Sequence, residues 1–441
     1  MTKKNTNIVA IVTMCFMFAM ISFVTNMAAP FGNIWKTHYE WAGMWGNMMN
    51  FLAYLFMGIP AGKMLMKIGY KKTALIALAV GFCGVALQWV SSKVGADVRV
   101  FDVKGDVVSL NYVIYLLAAF ICGFSVCMLN TVVNPMLNIL GGGGNKGNQY
   151  IQIGGTMNSL VGTLTPLLAG AMIGTVTKDT AMSDVAPLLF IAMGVFALAF
   201  VIISLVKIPE PNLGKVDTNE KSQYSPWSFR HCVLGVIAIF FYVGVEVGIP
   251  GELLYYFADA TPKGAGIAVN GAAIGGAIAA IYWLLMMVGR LCSSAISGKI
   301  STKTQLSAVS ALAIILVIVA IFLPKDITIS MPGYSVNDGF AMFEGVPVSA
   351  LLLVLCGLCT SLMWGGIFNL SVEGLGKYTE QASGIFMMMV VGGGVMPLIQ
   401  DAIARKAGYM SSYWLIVAML VFILFYALIG SKNVNKDIPV E

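Results

Sequence analysis

Apolar runs of about 20 residues or more, each long enough to cross a hydrocarbon core, recur along the whole of this 441-residue chain. They fall near 8–35, 42–66, 73–91, 111–140, 149–176, 186–206, 229–257, 269–298, 304–323, 347–373, 380–404 and 410–430, which makes twelve. Inside lipid a backbone must satisfy its own hydrogen bonds, and runs of this length do so as helices. The expectation is an all-α integral membrane protein with twelve transmembrane helices. Composition agrees: charged residues are 10% of the chain, against roughly 25% in soluble domains.

The most hydrophilic stretch, Lys207 to Ser228, contains Pro209, Pro211, Asp217, Glu220, Lys221 and Pro226 and separates the spans into six and six. The expected organisation is an N-terminal six-helix bundle over 1–206, a cytoplasmic linker over 207–228 and a C-terminal six-helix bundle over 229–441. With both termini inside, inner loops and tails hold fifteen Lys and Arg and outer loops hold nine, the bias expected for that orientation. The net charge of +6 follows from this bias, and no nucleic-acid partner is expected. The first apolar run continues through Trp35, too long for the core of a cleavable signal peptide. A bacterial cytoplasmic (inner) membrane location with both termini cytoplasmic is expected.

Polar groups inside such spans need partners or a polar solute. Asn130, Asn134 and Asn138 are spaced i, i+4, i+8 and so form one stripe on a helix. Asn158 follows on the next span, with Gln149, Gln152 and Thr156 as further polar lining. Each amide could equally serve interhelical hydrogen bonding. Trp283 and Trp364 lie within spans, where a flat ring covers the C–H face of a sugar or simply packs. Glu246 is an acid in mid-span, hence a candidate for ion coupling or a salt-bridge partner of Arg290. Glu252 lies nearer a span end, where solvent contact accounts for it.

Cys356 and Cys359 have a metal-like or redox-like spacing, but they sit in an apolar run without nearby histidines, and all eight cysteines are expected to be free thiols. With only His38 and His231 in the chain, a histidine metal site has no support, and no cofactor is expected. Gly141 to Gly144 lacks the Gly-Lys-Ser/Thr ending of a phosphate loop and is expected to be an inner loop between two spans.

Several segments carry a family resemblance. Ala53 to Pro60, running into Gly62, Lys67, Gly69, Tyr70, Lys71 and Lys72, resembles the loop between helices two and three of the major facilitator superfamily, with Met66 where an acidic residue is usual. Phe240 to Val247 with Tyr242, Gly244 and Glu246, Tyr282-Trp283, Met287 to Arg290, Ile367 to Thr379 with Asn369 and Glu373, and Val391 to Leu398 resemble the fucose, galactose and glucose proton-symporter family, as do Asn134-Pro135 and Asn158-Ser159. The resemblance runs from about Phe23 to about Gly430. It implies the major facilitator fold and a central sugar site facing outward and inward in turn.

Alignment to that pattern places Asn26 and Asn130 where fucose-transporting relatives have an aspartate and a glutamate associated with coupling and sugar binding. An amide hydrogen-bonds to hydroxyls but carries no titratable proton. Gly155 replaces a glutamine, which enlarges the pocket or admits a close backbone approach. Thr360 and Gly365 stand where relatives have an Asn and a Pro. The expected function is secondary transport of a sugar or sugar derivative, coupled to a proton or sodium ion, with Asn26, Asn130, Asn134, Gln152, Asn158, Trp283, Trp364 and Asn369 binding substrate and Glu246 in coupling. Facilitated diffusion is the alternative. A membrane-embedded enzyme or sensor would normally show a nucleophile-base pair, a metal cluster or a soluble domain. The expected partners are the sugar, the ion and the lipid bilayer, and the chain is expected to act as a monomer.

Overall fold

A computed structural model describes residues 3–39, 41–103, 105–173, 181–210, 224–259, 261–266, 271–296, 299–335, 339–435 and 437–440. Most of the expected linker, 211–223, lies outside them. The helices in chain order are α1 (Lys3–His38), a 47-residue rod (Trp45–Ser91), α4 (Leu110–Leu140), α5 (Gly144–Ile173), α6 (Ala186–Leu205), α7 (Arg230–Ala258), α8 (Gly271–Ile296) and α9 (Thr302–Phe322). Two interrupted helices follow, α10 (Val348–Thr360 and Met363–Val372) and α11 (Thr379–Met388 and Gly392–Ala407), and then α12 (Tyr409–Phe425).

Among the described residues ten stretches are long and apolar enough to span a membrane. One of them is the 47-residue rod, which turns at Gly69 with φ 82° and ψ 177°, backbone values outside the helical region and open mainly to glycine. It therefore counts as two spans, α2 (45–68) and α3 (70–91). With α5, which is 30 residues long, the spans number twelve.

Several hydroxyls within the spans are satisfied locally. Thr131, Thr163 and Ser310 donate to the carbonyls of Cys127, Ser159 and Leu306, each four residues back, as a group in lipid must when no water is at hand. Large apolar side chains are exposed instead, among them Phe190, Leu198 and Leu205 on α6 and Leu312, Ile315 and Phe322 on α9. Exposed apolar surface of this kind is what a bilayer covers. All eight cysteines are free.

Two antiparallel hairpins, β1 (Arg99–Val103) with β2 (Asp106–Ser109) and β3 (Thr328–Ser335) with β4 (Gly339–Pro347), add strand structure to the long loops before α4 and α10. Gly105 with φ 93° and Gly339 with φ 70° serve their turns.

The chain forms two compact units. The first comprises Met1–Met136, Leu164–Lys221 and Ser383–Val391, and the second Leu137–Thr163, Ser222–Ala382 and Gly392–Glu441. In the first unit the α2/α3 bend is tied to the start of the linker. The Glu210 carboxylate accepts the Tyr70 and Lys71 amides at 2.7 and 2.9 Å, and the Lys71 ammonium donates to the Ser204 and Val206 carbonyls, both at 2.8 Å. An anion thus meets the N-terminus of α3 and a cation the C-terminus of α6, each at the favourable end of the helix dipole. In the second unit Gly289 on α8 lies against Ser361, and Gly357 on α10 against the Tyr282 carbonyl. These close approaches fix α8 and α10 at backbone contact.

Candidate functional site

Arg290 organises the second unit. It is 5% exposed, and its guanidinium reaches three other helices. Nε donates to the Ser361 carbonyl at 3.1 Å, Nη1 to the Gly155 carbonyl at 2.6 Å and to Ser159 Oγ at 2.8 Å, and Nη2 to Glu246 Oε1 at 3.3 Å. The planar fork of arginine makes such divergent donation possible. Tyr242, one turn before Glu246 on α7, donates from Oη to the same Oε1 at 2.9 Å. A buried charge needs both a counter-ion and hydrogen bonds, and this cluster supplies both.

Gly155 is the reason the guanidinium can lie so close to α5. A Cβ at that position would come within 3.2 Å of Arg290 Cδ and 3.3 Å of Nε. Of the two consequences expected of this glycine, the structure shows the close approach: the arginine occupies the space beside α5.

The interruption of α10 at Ser361–Leu362 is held by side chains from other helices. Arg290 takes the Ser361 carbonyl, and Gln152 on α5 donates from Nε2 to the Leu362 carbonyl at 3.2 Å. Polar insertion into a helix ladder is a recognised cause of such breaks. Gly365 takes part, because a Cβ there would meet Gln152 Nε2 at 2.7 Å and Asn148 Oδ1 at 2.8 Å. Next to it, the half-buried Trp364 has its ring 6.2 Å from that of Tyr242. Trp283, also half-buried, meets Tyr282 edge to face at 5.8 Å, and Tyr282 Oη is hydrogen-bonded to Thr360 Oγ1 at 2.9 Å.

Glu246, Gln152 and Trp364 are therefore joined in one cluster, to which Trp283 connects through Tyr282 and Thr360. Asn158 is half-buried on α5 beside Ser159. Asn369 belongs to a separate polar link: Asn138 Nδ2 donates to Asn369 Oδ1 at 3.3 Å, Asn369 Nδ2 to Thr302 Oγ1 at 3.5 Å, and Thr302 Oγ1 to Asn145 Oδ1 at 3.3 Å. Four helices, α4, α5, α9 and α10, meet there.

In the first unit Asn130, 6% exposed, donates from Nδ2 to Tyr54 Oη at 2.8 Å. Asn134, fully buried, donates to the Asn130 carbonyl at 2.9 Å. Asn26 is half-buried and donates to the Ser22 carbonyl at 2.9 Å and to Ser22 Oγ at 3.1 Å. Tyr54 and Tyr242 carry polar roles that no sequence spacing singled out. Glu252 departs from expectation: it is 2% exposed, within electrostatic reach of the phenols of Tyr255, Tyr409 and Tyr413. The helix end that was to give it solvent is packed over by α12. Among the described residues no cluster of His, Cys, Asp or Glu could hold a metal.

The family model described as the Major Facilitator Superfamily matches residues 8–396. The chain belongs to the Major Facilitator Superfamily. It is a transporter and not an enzyme. A Brucella abortus protein named glucose/galactose transporter is 30% identical over 424 residues, covering 95% of this chain and 92% of that one. The Escherichia coli L-fucose-proton symporter is 21% identical over 400 residues, covering 85% and 81%. A crystal structure of the Escherichia coli fucose:proton symporter superposes with a TM-score of 0.74 at 19% identity, covering 97% of this chain and all of that one, and so shares the superfamily fold.

Proposed function

We propose that this superfamily member imports a neutral hexose or hexose derivative across the bacterial cytoplasmic membrane by alternating access, coupled to a cation, most simply a proton. The observation that carries the substrate class is the 30% identity, over nearly the whole chain, to a protein named glucose/galactose transporter. The site chemistry supports it. Amides, hydroxyls and indoles suit a polyol, whereas an anionic sugar would ask for a cavity cation, and Arg290 is already committed to Glu246 and to backbone carbonyls. In this reading Asn26, Asn130, Asn134, Gln152, Asn158, Trp283 and Trp364 bind or frame the sugar. Asn369 belongs to the same set, acting through its link to Asn138 and Thr302.

Glu246 is the proposed coupling acid. A neutral carboxyl costs less to occlude in a dry intermediate than an ionised one, and protonation would also release its hold on Arg290. The six-plus-six division about the 207–228 linker, cytoplasmic termini and a monomeric state complete the proposal. Uniport has two observations in its favour: Asn26 and Asn130 are amides, and Glu246 is in an ion pair. Uptake of labelled glucose and galactose into proteoliposomes, with and without an imposed proton or sodium gradient, tests both points. Saturable uptake supports the sugar reading, accumulation against the sugar gradient supports coupling, and equilibration without accumulation favours uniport.

A further inference from the structure

Tyr242 touches two groups that have separate tasks in the transport reading, the Glu246 carboxyl and the Trp364 indole. Tyr242 and Glu246 stand one turn apart on α7, and a helical side chain leans toward the N-terminus of its helix, so the carboxyl folds back over the phenol. Tyr242 Oη donates to Glu246 Oε1 at 2.9 Å. The Tyr242 ring is also 6.2 Å from the Trp364 ring at a tilt of 58°, inside the range over which aromatic pairs attract.

Burial separates the roles of the three. Trp364 is half-buried and the Glu246 side chain is 13% exposed, so each keeps surface that a solute can meet. Tyr242 is 0% exposed and meets neither sugar nor water. Its hydroxyl cannot turn to another partner unless its ring moves, and in a close-packed interior a shift of one ring is passed to the next. A hydrogen bond to an ionised carboxylate is roughly twice as strong as one between neutral groups. The phenol is therefore held tightly by ionised Glu246 and loosened when that acid takes up a proton.

The other ionisable groups within electrostatic reach of Glu246 are Arg290 and Tyr282, both on α8. Among the described residues α10, α11 and α12, which also pack against α7, bring none. Arg290 gives α10 a second route to the acid, because it holds the Ser361 carbonyl and Glu246 together. Trp364 lies three residues beyond Ser361, in the half of α10 that follows the break. Removing the Tyr242 hydroxyl leaves the arginine route in place, so the two routes can be told apart.

We propose that Tyr242 is a positioning residue that links the binding of a neutral hexose at Trp364 to the charge state of Glu246. It rests on the hexose-transport and proton-coupling reading above. Equilibrium binding of labelled glucose and galactose to the purified chain, measured from acid to alkaline pH, is the test. Linkage makes the effect of a proton on hexose affinity equal to the effect of hexose on proton affinity, so the ratio of hexose Kd at the two ends of the range reads the coupling. In wild type this ratio departs from one. Tyr242→Phe keeps the ring beside Trp364 and deletes only the hydroxyl. It should bring the ratio closer to one by a factor on the order of ten, the scale of a hydrogen bond to a charged group, while hexose exchange between equal compartments persists. Tyr282→Phe deletes an equally buried phenol that is bonded to Thr360 rather than to an acid, and should keep the wild-type ratio. A wild-type ratio in Tyr242→Phe, or an equal loss in both variants, overturns the link and leaves coupling through Glu246 standing. Loss of binding at every pH in Tyr242→Phe makes the residue structural and overturns the link as well. A wild type that binds and transports hexose with the same affinity at every pH overturns the coupling reading together with the link.

Discussion

Arg290 Nη1 lies 2.6 Å from the Gly155 carbonyl oxygen, so a guanidinium from α8 is seated directly on the backbone of α5. The same side chain holds Glu246 on α7 and Ser361 at the α10 break. One residue thus ties together the helices that carry most of the proposed sugar contacts of the second unit. Gly155→Ala places a methyl group 3.2 Å from Arg290 Cδ. Overpacking of that order costs about 1–3 kcal/mol, so the thermal unfolding midpoint of the purified protein should fall. Gly155→Gln should lower it further by displacing the guanidinium from the carbonyl.

Arg290→Lys keeps the charge and loses the fork. A lysine cannot serve Ser361, Gly155 and Glu246 together, so the substitution should behave like partial disruption of a buried pair, with about 3–5 kcal/mol as the upper scale. Chemical denaturation in detergent measures it. Stability equal to wild type would mean that charge alone, and not the divergent donation, matters at this position.

Asn130→Ala should weaken hexose binding by about 1–2 kcal/mol, the scale of a lost buried hydrogen bond, without preventing membrane insertion. Tyr54→Phe removes the oxygen to which Asn130 donates and so leaves that amide unanchored. It should weaken binding less than Asn130→Ala does. Unchanged affinity in both folded variants removes this pair from the sugar site.

Trp364→Phe should be milder than Trp364→Ala, because a ring still covers an apolar sugar face and still meets Tyr242, whereas a methyl group does neither. Equal affinities for the two variants, read by isothermal titration, would reduce Trp364 to a space-filling role. The same pair of substitutions at Trp283 tests its role independently.

Glu210→Gln removes the charge that caps α3. The bonds from the Tyr70 and Lys71 amides weaken, and stability should drop by about 1 kcal/mol, the scale of a helix N-cap. Glu210→Ala should cost more. No change in either would show that the bend at Gly69 holds without the linker.

The spans were legible in the sequence because lipid leaves a backbone no choice but to form helices, and the apolar runs set their lengths. The turn between the second and third spans was legible too, since Gly69 falls in the loop expected between 66 and 73, but the contact that holds this turn and the break at Ser361–Leu362 were not. The first needs a carboxylate 140 residues away to cap the new helix, and the second needs Arg290 and Gln152 from other helices. Neither partner is local in sequence. The Asn130/Asn134 stripe was legible from its spacing alone, whereas Tyr54, which answers Asn130, looks like one aromatic among many. Glu252 was misjudged because distance along a helix says nothing about which neighbours cover its end. The amides of α5 were legible as polar lining, but Gln152 proves to brace the α10 break, an arrangement that only packing creates.

The account turns on Glu246 as the group that couples ion to sugar, held by Arg290 and Tyr242. The most direct measurement compares wild type with Glu246→Gln in proteoliposomes, using labelled glucose and galactose in two regimes: accumulation driven by a pH gradient, and exchange between equal concentrations. Gln keeps the shape and an acceptor for Tyr242 and Arg290 but cannot release a proton. The predicted result is that accumulation disappears in the variant while exchange persists. Accumulation by the variant equal to wild type would contradict the account and turn attention to Glu252, the other buried acid of α7.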